Sequence, residues 1–254
     1  MNTETKTKAA IALVLLVPVP SLGVLCGMIW FPDAVLGKVL FSATKIWILA
    51  LPVAWWWIFY RRAEHRLPAC AASEASVEKP SKAPEPHSPE DYTPLSKGIV
   101  ASILAGVAIL LLIVGAYVWL GDKLIDKEFF VGKLRDVGLG DKRLYFGAMM
   151  YWILVNSLLE EFVWRWFVTE RFSKLVPPVA AVLLSALCFT LHHTLAMSVY
   201  LAPLANAAAS VGVFTGGVIF SWLFVRYKSI WPPYIAHVFA DIAIFAIGYV
   251  MLFG

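Results

Sequence analysis

Seven apolar stretches, separated by short polar or charged breaks, lay out the plan of the chain. After a polar start containing Lys6 and Lys8, the run from Ala9 to about Phe31 is long enough to cross a bilayer, as is Val39–Tyr60; about 20 apolar residues suffice. Further runs cover Ile99–Leu120, Leu144–Phe172, Val179–Met197, residues 198–226 and Ile230–Phe253. The first run begins like a secretory signal, but its length and the lack of a small-x-small site predict an uncleaved helix. Lys45, near the predicted start of the second helix, is expected to snorkel to the interface. Pro177-Pro178 ends one helix and opens the next, and Arg226–Ser229 forms a tight turn. Gly212, Gly216 and Gly217 predict close helix contact in the sixth span.

Two stretches break this pattern. Residues 61–97 hold six prolines (68, 80, 84, 86, 89 and 94) among Glu, Lys and Ser, and predict a disordered linker. Residues 121–143 mix six Lys/Arg and five Asp/Glu with Phe129, Phe130, Val131, Leu134 and Leu139. That segment cannot span. It predicts an interfacial amphipathic helix and then a turn at Gly138-Leu139-Gly140. The expected fold is all-α: a polytopic transmembrane bundle of about seven spans (six to eight) with one interfacial helix. Residues 1–60 form two N-terminal helices, 61–97 the linker and 98–254 the main membrane domain, with its core at 144–245.

Composition strengthens this reading. The chain is 60% hydrophobic and 15% charged, against about 25% charged in soluble domains; its mean hydropathy is +0.76. The net charge of +4 fits basic flanks of membrane spans and gives no ground for nucleic-acid binding. Cys26, Cys70 and Cys188 form no disulfide framework and are expected as free thiols. With seven spans, twelve Lys/Arg fall on the N-terminal side and seven on the opposite side, which predicts a cytoplasmic N-terminus.

Against this apolar background a few charges stand out. Leu154–Val168 carries Glu160, Glu161 and Arg165 inside six positions. Each costs roughly 2.5–3.5 kcal/mol at mid-bilayer. Glu161 and Arg165 are four apart and can pair on one face, which leaves Glu160 turned about 100° away. His192 and His193 follow on the next helix, also about 100° apart. Counted from a turn near Leu175, Glu160 and His193 both lie roughly 22–27 Å along antiparallel helices, hence at similar depth. His237 and Asp241 share one face of the last helix. Taken alone, that pair can simply satisfy itself. Beside Glu160 and His193, the four make a set capable of activating water and stabilising an oxyanion.

E-E-F-V-W-R (160–165), F-T-L-H-H (189–193) and H-V-F-A-D (237–241) resemble the three signatures of the CPBP family, the CAAX-prenyl protease and bacteriocin-processing (Abi) membrane proteins. The run Tyr227–His237 resembles that family's approach to its third signature. The resemblance covers about residues 144–245. It implies a glutamate-dependent intramembrane endopeptidase. Glu160 would be the base and His193 would help bind the water. His237 and Asp241 would form the oxyanion side, and Glu161 with Arg165 would hold the motif helix. Prenyl-processing members carry Asn where this chain has Asp241; an ionised Asp would instead orient His237 and keep it cationic. Two His and two acids could bind zinc, but the absence of H-E-x-x-H and the resemblance itself favour a metal-free site.

The expected substrate is a membrane-anchored protein or peptide, met within the lipid bilayer. The expected location is a bacterial inner membrane. A proton-coupled transporter also uses buried Glu, His and Asp, but it usually shows related halves, and the sequence has no internal repeat. A non-catalytic immunity or scaffold protein of the same fold is the other alternative.

Overall fold

The computed structural model describes residues 3–61 and 95–254, so the linker expected at 61–97 falls almost wholly outside the described residues. Among the described residues there is no strand. We number the helices α1 (Thr3–Trp30), α2 (Val35–Phe59), α3 (Leu95–Leu124), α4 (Lys127–Asp136), α5 (Lys142–Phe172), α6 (Pro178–Met197), α7 (Pro203–Tyr227) and α8 (Trp231–Phe253). All but α4 are long and apolar enough to cross a membrane, seven in total. This is the all-α polytopic bundle read from the sequence. Large side chains such as Leu112, Val118 and Val211 stand exposed on its outside, as suits a bundle whose solvent is lipid.

Local sequence sets the helix ends. Pro178 and Pro203 each occupy the first helical position, where a missing N–H costs nothing. Asp126 caps α4 by accepting from Phe129 N at 3.0 Å, and Asp141 caps α5 by accepting from Arg143 N and Leu144 N at 2.8 and 3.0 Å. Between them the expected turn appears, with Gly138 at φ +87°. The amphipathic segment contracts to α4, whose Val131, with Phe130 and Leu134 beside it, packs on Tyr145 of α5 and Met251 and Leu252 of α8. The sixth span starts later than expected: residues 198–202 are not helical, and α7 begins at Pro203. The second starts earlier, at Val35 rather than Val39, which puts Lys45 ten residues inside the helix.

Packing gives the helices two pairings: α3 against α8, and α6 against α7. Gly106 permits the first, since a Cβ there would stand 2.5 Å from Phe239 Cδ2. Of the three glycines expected to seat a neighbour in the sixth span, only Gly217 does so, its place for a Cβ lying 3.2 Å from Ala186 Cβ. Gly212 faces open space and Gly216 meets only Phe220 of its own helix. The N-terminal pair is not a separate annex. Ala12, Leu13 and Leu16 of α1 and Trp55 of α2 share one core with Val163, Trp164, Phe167 and Val168 of α5.

Helix α5 is itself irregular. Tyr151–Asn156 and Phe162–Thr169 are wide, π-helical turns on either side of the α-helical Ser157–Glu161. Such turns leave carbonyls without their usual partners, and hydroxyls supply replacements. Thr169 Oγ1 donates to Trp164 O at 2.8 Å, and Ser185 Oγ of α6 approaches the same carbonyl at 3.2 Å. The wide turns thus bracket the five residues that carry both glutamates.

Candidate active site

Glu161 and Arg165 form the buried pair expected from their spacing: Nε lies 3.1 Å from Oε2, and both side chains are 0% exposed. The contact is an ion pair without aligned hydrogen-bond geometry, and no guanidinium nitrogen has a hydrogen-bond partner among the described residues. Two aromatic faces offset that lack. Phe189 of α6 lies 4.5 Å from the guanidinium carbon and Phe220 of α7 lies 5.1 Å from it, a cation–π arrangement that strengthens when water is excluded.

Glu160 points away from that pair, as its place on the helix requires. Its Oε1 accepts from Asn156 Nδ2 at 2.9 Å. Its Oε2 lies 3.9 Å from His193 Nε2 and 3.8 Å from His237 Nε2. Three helices therefore converge on one carboxylate oxygen. His193 is fixed in orientation because its Nδ1 meets Phe189 O of its own helix at 2.8 Å, leaving Nε2 to face Glu160. The Glu160 side chain is 17% exposed and that of His193 26%, so the cluster is recessed yet open.

His237 is held differently from the sequence expectation. Its Nδ1 lies 2.7 Å from Glu161 Oε1, whereas Asp241 Oδ1 is 3.8 Å from Nε2. The carboxylate that orients the imidazole is therefore Glu161 on α5, and Asp241 plays a lesser part in placing it. The reason is geometric: a neighbour four residues along the same helix cannot reach the ring nitrogen that points across to α5. The ring also stacks on Phe220 at 4.9 Å and 18°. Asp241 instead accepts from Ser157 Oγ, with Oδ2 2.5 Å away.

Asn156, Ser157 and Phe220 were not singled out in the sequence. Asn156 had a visible signal, one turn before Glu160. Ser157 and Phe220 had none that a single sequence displays. His192 stacks on Trp164 at 5.0 Å and 6°. Glu160, His192 and His193 each offer one ligand atom within 4.8 Å of the others, and these three could hold a metal ion. Tetrahedral zinc with ligands at about 2.0–2.1 Å sets them about 3.3 Å apart, closer than the 3.9 Å between Glu160 Oε2 and His193 Nε2. The Nδ1 contacts of His193 and His237 leave each Nε2 free, an arrangement that metal-bound histidines also use, so these donors could serve an ion or a water.

Fold and site together define an integral membrane protein with a carboxylate–imidazole centre recessed inside its helices. Residues 142–243 match the family described as Type II CAAX prenyl endopeptidase Rce1-like. That match agrees with the resemblance of the chain's three signatures to the CPBP family. The match takes in α5, α6, α7 and the first half of α8, and leaves α1–α4 outside. No curated protein and no solved structure gives a match.

Proposed function

We propose that the protein is an intramembrane endopeptidase that hydrolyses a peptide bond in a membrane-anchored protein, with Glu160 as general base. The observation that carries this reading is the gap around Glu160 Oε2, 3.9 Å from one imidazole and 3.8 Å from another on a different helix. Such gaps are too long for direct hydrogen bonds and suit a shared water at about 2.8 Å from each partner. Water entering there meets an acceptor in Glu160 and an orienting group in His193.

The reaction then runs as follows. Glu160 takes a proton from the water as its oxygen bonds to the scissile carbonyl carbon. The carbonyl oxygen becomes an oxyanion on the side of His237 and Asp241. His237, its Nδ1–H donated to Glu161, acts as imidazolium and presents Nε2–H to that oxyanion. Collapse of the tetrahedral intermediate breaks the C–N bond, and the proton held by Glu160 passes to the leaving amine. One carboxylic acid and one amine result. Glu161 serves twice here, as counter-ion to Arg165 and as the group that aims His237. Asp241, held by Ser157, lies 3.8 Å from Nε2 on that side. We read the site as metal-free because the base and both imidazoles can do this work through protons alone.

A substrate already tethered to the bilayer reaches the recessed centre at high effective concentration; a soluble peptide would first have to desolvate. We place the protein in a bacterial inner membrane with a cytoplasmic N-terminus, on the distribution of Lys and Arg. The test of the catalytic assignment is purified wild type against Glu160→Gln, both reconstituted, on an anchored reporter. The variant should fold, insert and lose at least 100-fold in rate, the lower end of what a positioned general base contributes, roughly 10²–10⁴. A variant retaining more than a few per cent of activity removes Glu160 from the mechanism, and an inactive wild type points to the non-catalytic reading.

A further inference from the structure

We propose that Asn156 is a positioning residue for the base: its amide holds Glu160 Oε1, so that Oε2 alone faces the proposed water and takes the proton. A glutamate carboxyl turns easily about its last torsion, whose preferences are broad and roughly two-fold. Its two oxygens are chemically equivalent, and a carboxylate only accepts hydrogen bonds. Something else must therefore choose which oxygen receives the proton. Asn156 Nδ2 donates to Oε1 at 2.9 Å. Among the described residues this is the one hydrogen bond to the Glu160 carboxylate. The other oxygen, Oε2, is the one left 3.9 Å from His193 Nε2 and 3.8 Å from His237 Nε2. The amide thus divides the carboxylate into a held oxygen and a reacting one.

The backbone makes Asn156 a firm support. It closes the wide turn Tyr151–Asn156 and precedes the α-helical Ser157–Glu161, with its own φ and ψ at −63° and −45°. Asn156 and Glu160 therefore stand four apart on one helical face. Ser157 Oγ, 2.8 and 3.1 Å from the carbonyl oxygens of Trp152 and Ile153, ties down the turn from the next position. An amide in an apolar helix costs free energy unless it is bonded, and a pair at this spacing can exist only to satisfy itself. Two features set this pair apart. Its acceptor is the proposed base, and that base is still 17% exposed, within reach of water. A fixed donor, unlike a mobile water, needs no reorganisation as charge moves through the site. One water proton passes to Oε2 as the water oxygen bonds to the carbonyl carbon, and the same proton later leaves with the amine. Oε1 keeps its bond from Asn156 throughout. Asn156 lies four residues before the first charged signature, inside the matched segment. The role rests on the endopeptidase reading; the contact itself can be read without cleavage.

The experiment uses the full chain in nanodiscs with three replacements. Asn156→Leu keeps the volume and removes the donor, Asn156→Asp keeps the shape and puts an acceptor there, and Asn156→Gln keeps the amide. On an anchored reporter peptide, the Leu and Asp variants should lose about 10- to 100-fold in kcat, the scale of a hydrogen bond to a charged group. KM should stay in place, and the Gln variant should keep more of kcat than either. Infrared difference spectra between each protein and the same protein carrying Glu160→Gln isolate the Glu160 carboxylate bands. The separation of its two stretches should change in Asn156→Leu and stay near wild type in Asn156→Gln. If the Leu variant does not fold, the Asp variant carries the comparison. Full kcat in the folded variants, even with a lowered melting temperature, overturns the role and leaves the endopeptidase reading intact. A loss of kcat with unmoved carboxylate bands also overturns it. A wild type whose bands respond to Asn156→Leu but which cuts no anchored peptide would instead overturn the endopeptidase reading and leave the contact standing.

Discussion

The pair Glu161–Arg165 allows a sharp test, because its stability cost should depend on which partners remain. Arg165→Met keeps most of the side-chain volume between Phe189 and Phe220 but leaves Glu161 charged. Glu161 is 0% exposed, and its one aligned hydrogen bond is to His237 Nδ1. An uncompensated buried charge costs about 3–5 kcal/mol. At about 2–4 °C per kcal/mol for a protein of this size, the melting temperature should fall by about 6–20 °C. Adding Glu161→Gln removes the stranded charge. What remains lost are the ring contacts of the guanidinium, about 1–2 kcal/mol each, and a carboxylate partner for His237. The double variant should therefore be more stable than Arg165→Met, a coupling of opposite sign to simple addition. Thermal unfolding of wild type, both single variants and the double variant, in one detergent and lipid mixture, reads the cycle. A double variant destabilised by the full sum of its singles would show that the two side chains act independently, and the buried-pair account would fail.

Ser157→Ala should leave the fold intact and lower kcat/KM by about tenfold, the worth of one positioned hydrogen bond to a charged group; unchanged kinetics would show that the Ser157–Asp241 contact does not tune the site. Dialysis against EDTA or phenanthroline should leave activity in place, with substoichiometric metal in the pure protein; one equivalent of zinc, lost and regained together with activity, would reverse that expectation. A scissile sequence joined to a transmembrane anchor in liposomes should be cut far faster than the same sequence free in solution. Equal rates would end the anchored-substrate reading, and cleavage confined to a farnesylated form would favour a prenyl-directed enzyme.

Much of this geometry was legible because helical spacing is rigid. The spacing of four from Glu161 to Arg165 fixed their shared face, and the adjacency of Glu160 and Glu161 fixed their divergence. The proline pair at 177–178 set a short hairpin, so Glu160 and His193 met at equal depth. What could not be read was contact across helices. The bond from His237 to Glu161 depends on the rotation of α8 against α5, which no spacing within one motif contains. The Asp241 partner was misjudged for the same reason, since the nearest acid in sequence was not the nearest in space. The second helix starts four residues before its expected position, at Val35, which sets Lys45 ten residues along it. The small-residue rule for Gly212 failed because it states which residues permit close approach, not which face the neighbour takes.

Phe220 lies on α7, the one helix of the matched domain without a signature residue. One face of chemistry, a neutral hydrocarbon ring, stands 5.1 Å from the Arg165 guanidinium and 4.9 Å from the His237 imidazole. Two positively inclined groups thus lean on the same π cloud, and a change in that ring is felt by both. Scoring a relative by its charged signatures alone would pass a chain with leucine at this position as intact. Its acids and bases would all be present, yet the guanidinium and the imidazole would have lost the ring they share. A signature written in charged residues alone therefore omits the ring that touches two of them.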